Sequence, residues 1–182
     1  MILNEAIVPL GEFDCTAFTE KVLALDELAW HSDDRRQADY DVHAQTQSII
    51  LLFCEGWPDV KVSRASGWDL LAHEAMPVVD QIVAKNYPAE GTLLRAMVTR
   101  LSPGCRIARH KDSHPSFSVA HRVHIPLITN CGVEFVVGSE RVPPRPHFAF
   151  ELNNIMMHHV VNNGDGQRIH FIFDYAPPAA GQ

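Results

Sequence analysis

The chain opens without the marks of a secretion signal. Met1-Ile2-Leu3-Asn4-Glu5 has no cationic start and no continuous apolar stretch behind it, so no signal peptide is predicted. Its longest apolar run, Ile49 to Cys54, is far too short to span a bilayer. No Cys-x-x-Cys pair occurs; Cys15, Cys54, Cys105 and Cys131 lie far apart and read as free buried thiols. There is no basic patch either. The formal net charge is −7, and Arg35-Arg36 sits among Asp33-Asp34, Asp39 and Asp41, so it reads as a solvated mixed-charge loop. Unspecific nucleic-acid binding needs a patch that displaces phosphate counterions, and the acidic balance argues against polyanion partners. Internal repeats and low-complexity tracts are missing too. The expectation is a cytoplasmic protein with neither a membrane nor a nucleic-acid partner.

The composition, 46% hydrophobic and 20% charged over 182 residues, is that of an ordinary globular chain, and one domain is expected. In residues 1–90 we expect a mainly helical bracing region with one or two strands. Phe18, Val22 and Leu25 recur at helical spacing after Asp14 and Thr16, either of which can cap the start. Residues 31–47 have no period and read as a long loop. Ser48 to Phe53 fits a buried strand, and a helix is expected from Gly67 to about Asn86, stopped by Tyr87-Pro88 and kinked or split at Pro77. His31, His43 and His73 stand alone and are read as ordinary surface or hydrogen-bonded histidines. Trp30, Trp57 and Trp68 are core or pocket aromatics.

From Thr92 the texture changes to short Val-, Ile- and Phe-rich runs separated by turn signals such as Ser102-Pro103-Gly104 and Asn163-Gly164-Asp165-Gly166. This predicts strands near Leu94–Leu101, Cys105–His110, Arg122–Thr129, Val133–Val137, His147–Glu151, Met156–Asn162 and Arg168–Tyr175. Together they make an antiparallel double-sheet barrel or jelly roll over residues 91–176. The fold class is therefore mainly β with flanking helices. Side chains alternate along a strand, so Arg122 and His124 share one face, His158 and Asn162 another, and Arg168 and His170 a third. Polar inward faces on three strands are costly in a plain core, and a bound metal and anion would resolve that cost.

His110-Lys111-Asp112 places an imidazole and a carboxylate two residues apart, and His158 follows on a distant strand. Two histidines and a carboxylate can cover one face of an octahedron and leave open positions, which suits a non-haem Fe(II) oxygenase. His-x-Asp alone is a weak signal; a later His with Arg168 ten residues beyond strengthens it. The adjacent His159 competes with His158, but alternation turns it to the opposite face.

These residues carry a resemblance. Leu101-Ser102-Pro103-Gly104, His110-Lys111-Asp112, Arg122-Val123-His124, His158-His159-Val160-Val161-Asn162 and Arg168 to Asp174 resemble, in order, the aspartyl/asparaginyl β-hydroxylase family of Fe(II)/2-oxoglutarate dioxygenases. That family has a double-stranded β-helix core of the jelly-roll or cupin-like kind. The resemblance covers roughly the C-terminal half.

The resemblance implies that His110, Asp112 and His158 ligate Fe(II), and that Arg168 pairs with the distal carboxylate of 2-oxoglutarate. Arg122 and His124 would hold further cosubstrate oxygens, and Thr99 would offer a hydroxyl to the same anion. The best-studied animal members lack the carboxylate ligand, whereas Asp112 is present here. The implied reaction consumes O2 and 2-oxoglutarate, releases succinate and CO2, and hydroxylates an aspartyl, asparaginyl or related amino-acid substrate, as a small molecule or in a peptide. The rival expectation is a cupin-type metal protein that uses no 2-oxoglutarate; Arg168 and Arg122 weigh against it. Arg168 could instead be a structural partner of Glu151 or Asp174, and His121 and His170 are read as structural.

Overall fold

The computed structural model describes residues 3–31 and 44–178. The element order is β1 (Ile7–Glu12), α1 (Thr16–Leu23), α2 (Glu27–Trp30), β2 (Thr46–Glu55), β3 (Lys61–Arg64), α3 (Gly67–Asn86), β4 (Thr92–Leu101), β5 (Arg106–His110), a 3-10 turn (Pro115–Ser118), β6 (His121–Ile128), β7 (Val133–Val137), β8 (Glu140–Arg141), β9 (Phe148–Leu152), β10 (His158–Asn162) and β11 (Arg168–Ala176). Each expected strand from residue 92 onward is present within a residue or two of its expected limits. Most of the loop expected over 31–47, with His43 and the Arg35-Arg36 stretch, lies outside the described residues.

The strands form two antiparallel sheets. The larger runs β1-β9-β6-β11-β4-β2-β3 and the smaller β5-β10-β7-β8. They stack as the mainly β, double-stranded β-helix core expected from the strand spacing.

Alternation explains why strands of the large sheet are buried on both sides. Val123, Ile125, Phe171 and Phe173 turn outward and pack with Phe18, Val22, Leu71, Val79 and Ile82 from α1 and α3. Phe18 meets Phe171 edge-on, with ring centroids 5.0 Å apart, a favoured aromatic geometry. A second apolar cluster, including Leu101, Ile107, Phe135, Phe150, Leu152 and Val160, fills part of the space between the sheets.

The bracing region differs from expectation in two ways. It supplies three strands, β1, β2 and β3, to the large sheet rather than one or two. β1 was invisible because Pro9 and Gly11 break its pattern, and tertiary pairing with β9 overrides them. Helix α3 is a single element of 20 residues that contains Pro77 rather than two segments, because its apolar face is held against the sheet. It begins at Gly67, where a Cβ would lie 2.6 Å from the Ile50 carbonyl oxygen, so only glycine permits this approach of helix to β2. At α1, Asp14 accepts the Thr16 N–H at 3.0 Å.

All four cysteines are free thiols, as read from the sequence, but only Cys15 and Cys54 are buried while Cys131 is exposed. Burial pushes the Cys15 thiol up to about 11. Trp30 is buried, and the Arg100 guanidinium lies 4.4 Å above its ring; Trp57 is exposed. No helix among the described residues is long and apolar enough to cross a membrane.

Candidate metal centre

The site is built where β5 ends and β10 begins. These strands pair antiparallel, and the register sets His158 directly opposite His110. Their rings therefore meet, with centroids 4.3 Å apart. Asp112 lies two residues beyond the end of β5, and its backbone N–H donates to the Asn154 carbonyl at 2.9 Å, which ties that segment to the loop leading into β10. One ligand atom from each of His110, Asp112 and His158 falls within 4.8 Å of the others.

The hydrogen bonding fits a metal. His110 Nδ1 donates to the Ala108 carbonyl at 2.8 Å, and His158 Nδ1 donates to the Met156 carbonyl at 2.9 Å. Each ring thus directs an Nδ1 proton to the backbone and leaves Nε2 as the nitrogen available to a metal. Burial lowers the His158 pKa, opposed in part by the charge on Asp112, which favours the neutral form. Asp112 Oδ1 lies 3.9 Å from His110 Nε2, while Oδ2 accepts from Arg122 Nη1 at 2.7 Å. One carboxylate oxygen is anchored and the other faces the imidazoles. Two imidazole nitrogens and one carboxylate oxygen on one side of an open cavity fit Fe(II), with 2-oxoglutarate and O2 as cosubstrates.

That cavity lies between the sheets and opens to solvent. It is lined by His110, Asp112, His158, Arg122, His124, Thr99 and Arg168, so every sequence-predicted site residue converges there. Ile107, Phe135, Leu152, Val160 and Ile172 make the wall apolar. His159 turns away from it; its Nε2 lies 3.8 Å from Glu134 on the other face of the small sheet. Asn162 is buried, donating to the Leu101 and Gly166 carbonyls, and so holds the turn between β10 and β11.

Three placements refine the sequence reading. Arg122 lines the cavity, but its guanidinium is already engaged with carboxylates. Nε and Nη2 donate to Asp174 at 2.7 and 2.9 Å, in addition to the Nη1 bond to Asp112. The carboxylates considered as structural partners of Arg168 are held by other residues. Asp174 is held by Arg122 and by Arg95 at 3.2 Å, and Glu151 by His121 at 2.6 Å and Tyr87 at 2.9 Å. Arg168 is instead 1% exposed, donates from Nη2 to His170 Nδ1 at 2.9 Å, and stands over the Phe135 ring at 5.4 Å. The Thr99 hydroxyl lies 3.5 Å from the His170 carbonyl, a long contact that leaves the hydroxyl weakly committed.

Sequence reasoning missed Asp174, Arg95 and Ser116. Asp174 continues the inward face of β11 that carries Arg168, His170 and Ile172, and it pairs with Arg122 in the β6–β11 register. Following the alternation two residues further would have found it. Burial alone would raise the Asp174 pKa; the charges and hydrogen bonds of Arg122 and Arg95 outweigh burial and hold it below the ordinary carboxylate range. Arg95 also donates to Ser116 at 2.9 Å, and Phe117 lies beneath the Arg122 guanidinium at 4.3 Å. The 3-10 turn is thereby fastened to the ion chain that ends at Asp112.

This double-sheet core with a His–Asp–His face defines a 2-oxoglutarate- and Fe(II)-type oxygenase. The family model described as Aspartyl/Asparaginyl beta-hydroxylase matches residues 19–178, and the chain belongs to that family. The match includes α3 and β2, so membership extends well beyond the half in which the motifs were legible. No curated protein matches the chain in sequence.

Solved structures share the fold at low identity. A 2OG-Fe(II) oxygenase family oxidoreductase from Burkholderia pseudomallei is 16% identical, with 91% of each chain covered and a TM-score of 0.55. A prolyl hydroxylase from Trichoplax adhaerens, in complex with a hypoxia inducible factor peptide fragment, is 13% identical over 95% of this chain and 84% of that one, with a TM-score of 0.61. The collagen prolyl hydroxylase of Paramecium Bursaria Chlorella virus-1, in complex with 2OG, is 11% identical over 96% and 97% of the two chains, with a TM-score of 0.55.

Proposed function

We propose that this protein hydroxylates a C–H bond of an aspartyl, asparaginyl or related amino-acid substrate, free or within a peptide, with release of succinate and CO2. The observation that carries the reading is the convergence of His110, Asp112, His158 and Arg168 on one cavity. Iron bound there with 2-oxoglutarate would supply oxygen activation and C–H oxidation. The chain's own residues have separate tasks. His110, His158 and Asp112 hold the metal, and Arg122 orients Asp112. Arg168 pairs with the distal carboxylate of 2-oxoglutarate, as a planar, permanently charged fork suits. Thr99 and His124 offer further polar atoms to the cosubstrate, and Ile107, Phe135, Val160 and Ile172 exclude water. A peptidyl substrate is supported by the open mouth of the cavity and by the peptide bound to the Trichoplax relative.

The test begins with anaerobic titration of metal-free protein with Fe(II) and then 2-oxoglutarate, followed by visible absorption. A charge-transfer band that needs both is expected. Aerobic screening of amino acids and Asp- or Asn-containing peptides should then reveal a product heavier by one oxygen, matched by succinate. Iron binding without the band would return the protein to the cupin-type reading. A band with no product from any amino acid or peptide would remove the substrate class and leave the oxygenase.

A further inference from the structure

The guanidinium of Arg168 is buried, and one of its sides is taken by His170, two residues on along the inward face of β11. A guanidinium has only donors, so at 2.9 Å from Arg168 Nη2 the His170 Nδ1 must present a lone pair. The ring is therefore neutral, with its proton on Nε2. Its surroundings enforce that state. His170 is 3% exposed and lies against the rings of His124, Phe135 and Phe150, at centroid distances of 5.9, 6.3 and 6.4 Å. Burial, with the nearby Arg168 charge, holds the imidazole well below its ordinary range.

We infer that His170 is a positioning residue for cosubstrate binding: its Nδ1 lone pair fixes the Arg168 fork so that the remaining donors meet the distal carboxylate of 2-oxoglutarate. This rests on the cosubstrate role proposed above for Arg168. The backbone supports the assignment. Thr99, which lines the cavity, is the cross-strand partner of His170 in the β4–β11 pairing, so Thr99, His170 and Arg168 form one contiguous unit. A planar, singly oriented acceptor removes the freedom of the long arginine side chain before the ligand arrives, which lowers the cost of binding.

The experiment compares His170→Phe, which keeps a ring but removes the acceptor, with His170→Asn, whose Oδ1 restores an acceptor close to the position of Nδ1. Iron-loaded proteins are titrated anaerobically with 2-oxoglutarate, and separately with pyruvate, which has the same chelating keto-acid end but no distal carboxylate. The phenylalanine variant should need roughly tenfold more 2-oxoglutarate for half-saturation, the scale of one charge-assisted hydrogen bond. The asparagine variant should recover most of that loss. Pyruvate binding and iron affinity should stay at wild-type values in both.

An unchanged 2-oxoglutarate requirement in His170→Phe would overturn the inference. So would an equal loss for pyruvate, a loss of iron, or an asparagine variant as weak as the phenylalanine one, since each would make His170 merely structural. If the wild-type protein itself gives no 2-oxoglutarate band, it is the cosubstrate reading that fails, and the two failures are thus distinguishable.

Discussion

Arg122 grips Asp112: Nη1 donates to Oδ2 at 2.7 Å, and this bond selects which carboxylate oxygen faces the two imidazoles. Arg122 is itself held from behind by both oxygens of Asp174, a bidentate pairing suited to its planar fork. Replacing Arg122 by Ala should weaken iron binding by about 10- to 100-fold, the usual effect of losing a partner that orients a ligand. Competition with a chromophoric chelator would measure it. Wild-type affinity in Arg122→Ala would mean that Asp112 needs no orientation.

Asp174 should matter most for stability. It is fully buried, and Asp174→Asn would leave Arg95 and Arg122 short of a counter-charge, at a cost of about 3–5 kcal/mol. Its folded-state pKa is depressed, so its contribution is present above the ordinary carboxylate pKa of about 4 and is lost as pH falls below that. Urea unfolding of metal-free protein at neutral pH and near pH 3 should therefore show the gap between wild type and variant narrowing with acid. A constant gap would show that Asp174 acts through packing alone.

The two neighbouring histidines should separate cleanly. His158→Ala should abolish iron retention after gel filtration, because a facial set cannot spare one of its imidazoles. His159→Ala, on the opposite face beside Glu134, should retain iron as the wild type does. The reverse outcome would exchange their roles.

Arg168→Ala should raise the 2-oxoglutarate requirement about 10- to 100-fold, since charge-assisted hydrogen bonds contribute about 1.5–3 kcal/mol each. Iron affinity should not move, as Arg168 pairs with His170 and contributes no ligand atom. Half-saturation of the anaerobic absorption band reads both quantities. An unchanged requirement would remove Arg168 from the cosubstrate site.

Much of this was legible because period-2 alternation and turn residues are local properties. The strands from Thr92 onward, the inward face of each and the turning of His159 away from His158 follow from them, while the roles expected of Thr99, Arg122, His124 and Arg168 came from the family resemblance. Helix α3 was legible from its apolar period and its Tyr87-Pro88 stop. What failed to show were elements whose stability is not local: β1 with its Pro9 and Gly11, the four-residue β3, and the continuity of α3 through Pro77.

The sequence by itself determined which side chains could share a face, and so which residue types were available to hold a metal and an anion. Only the tertiary structure decided who meets whom. The β5–β10 register sets His110 opposite His158, and the β6–β11 register sets Arg122 opposite Asp174, so that it links Asp174 to Asp112 while lining the cavity. Strand order and register depend on contacts among residues far apart in the chain, and a local pattern cannot encode them. The same limit hid the partner of Arg168: that His170 lies beside it was visible, but that the imidazole accepts its hydrogen bond is a consequence of burial between two sheets.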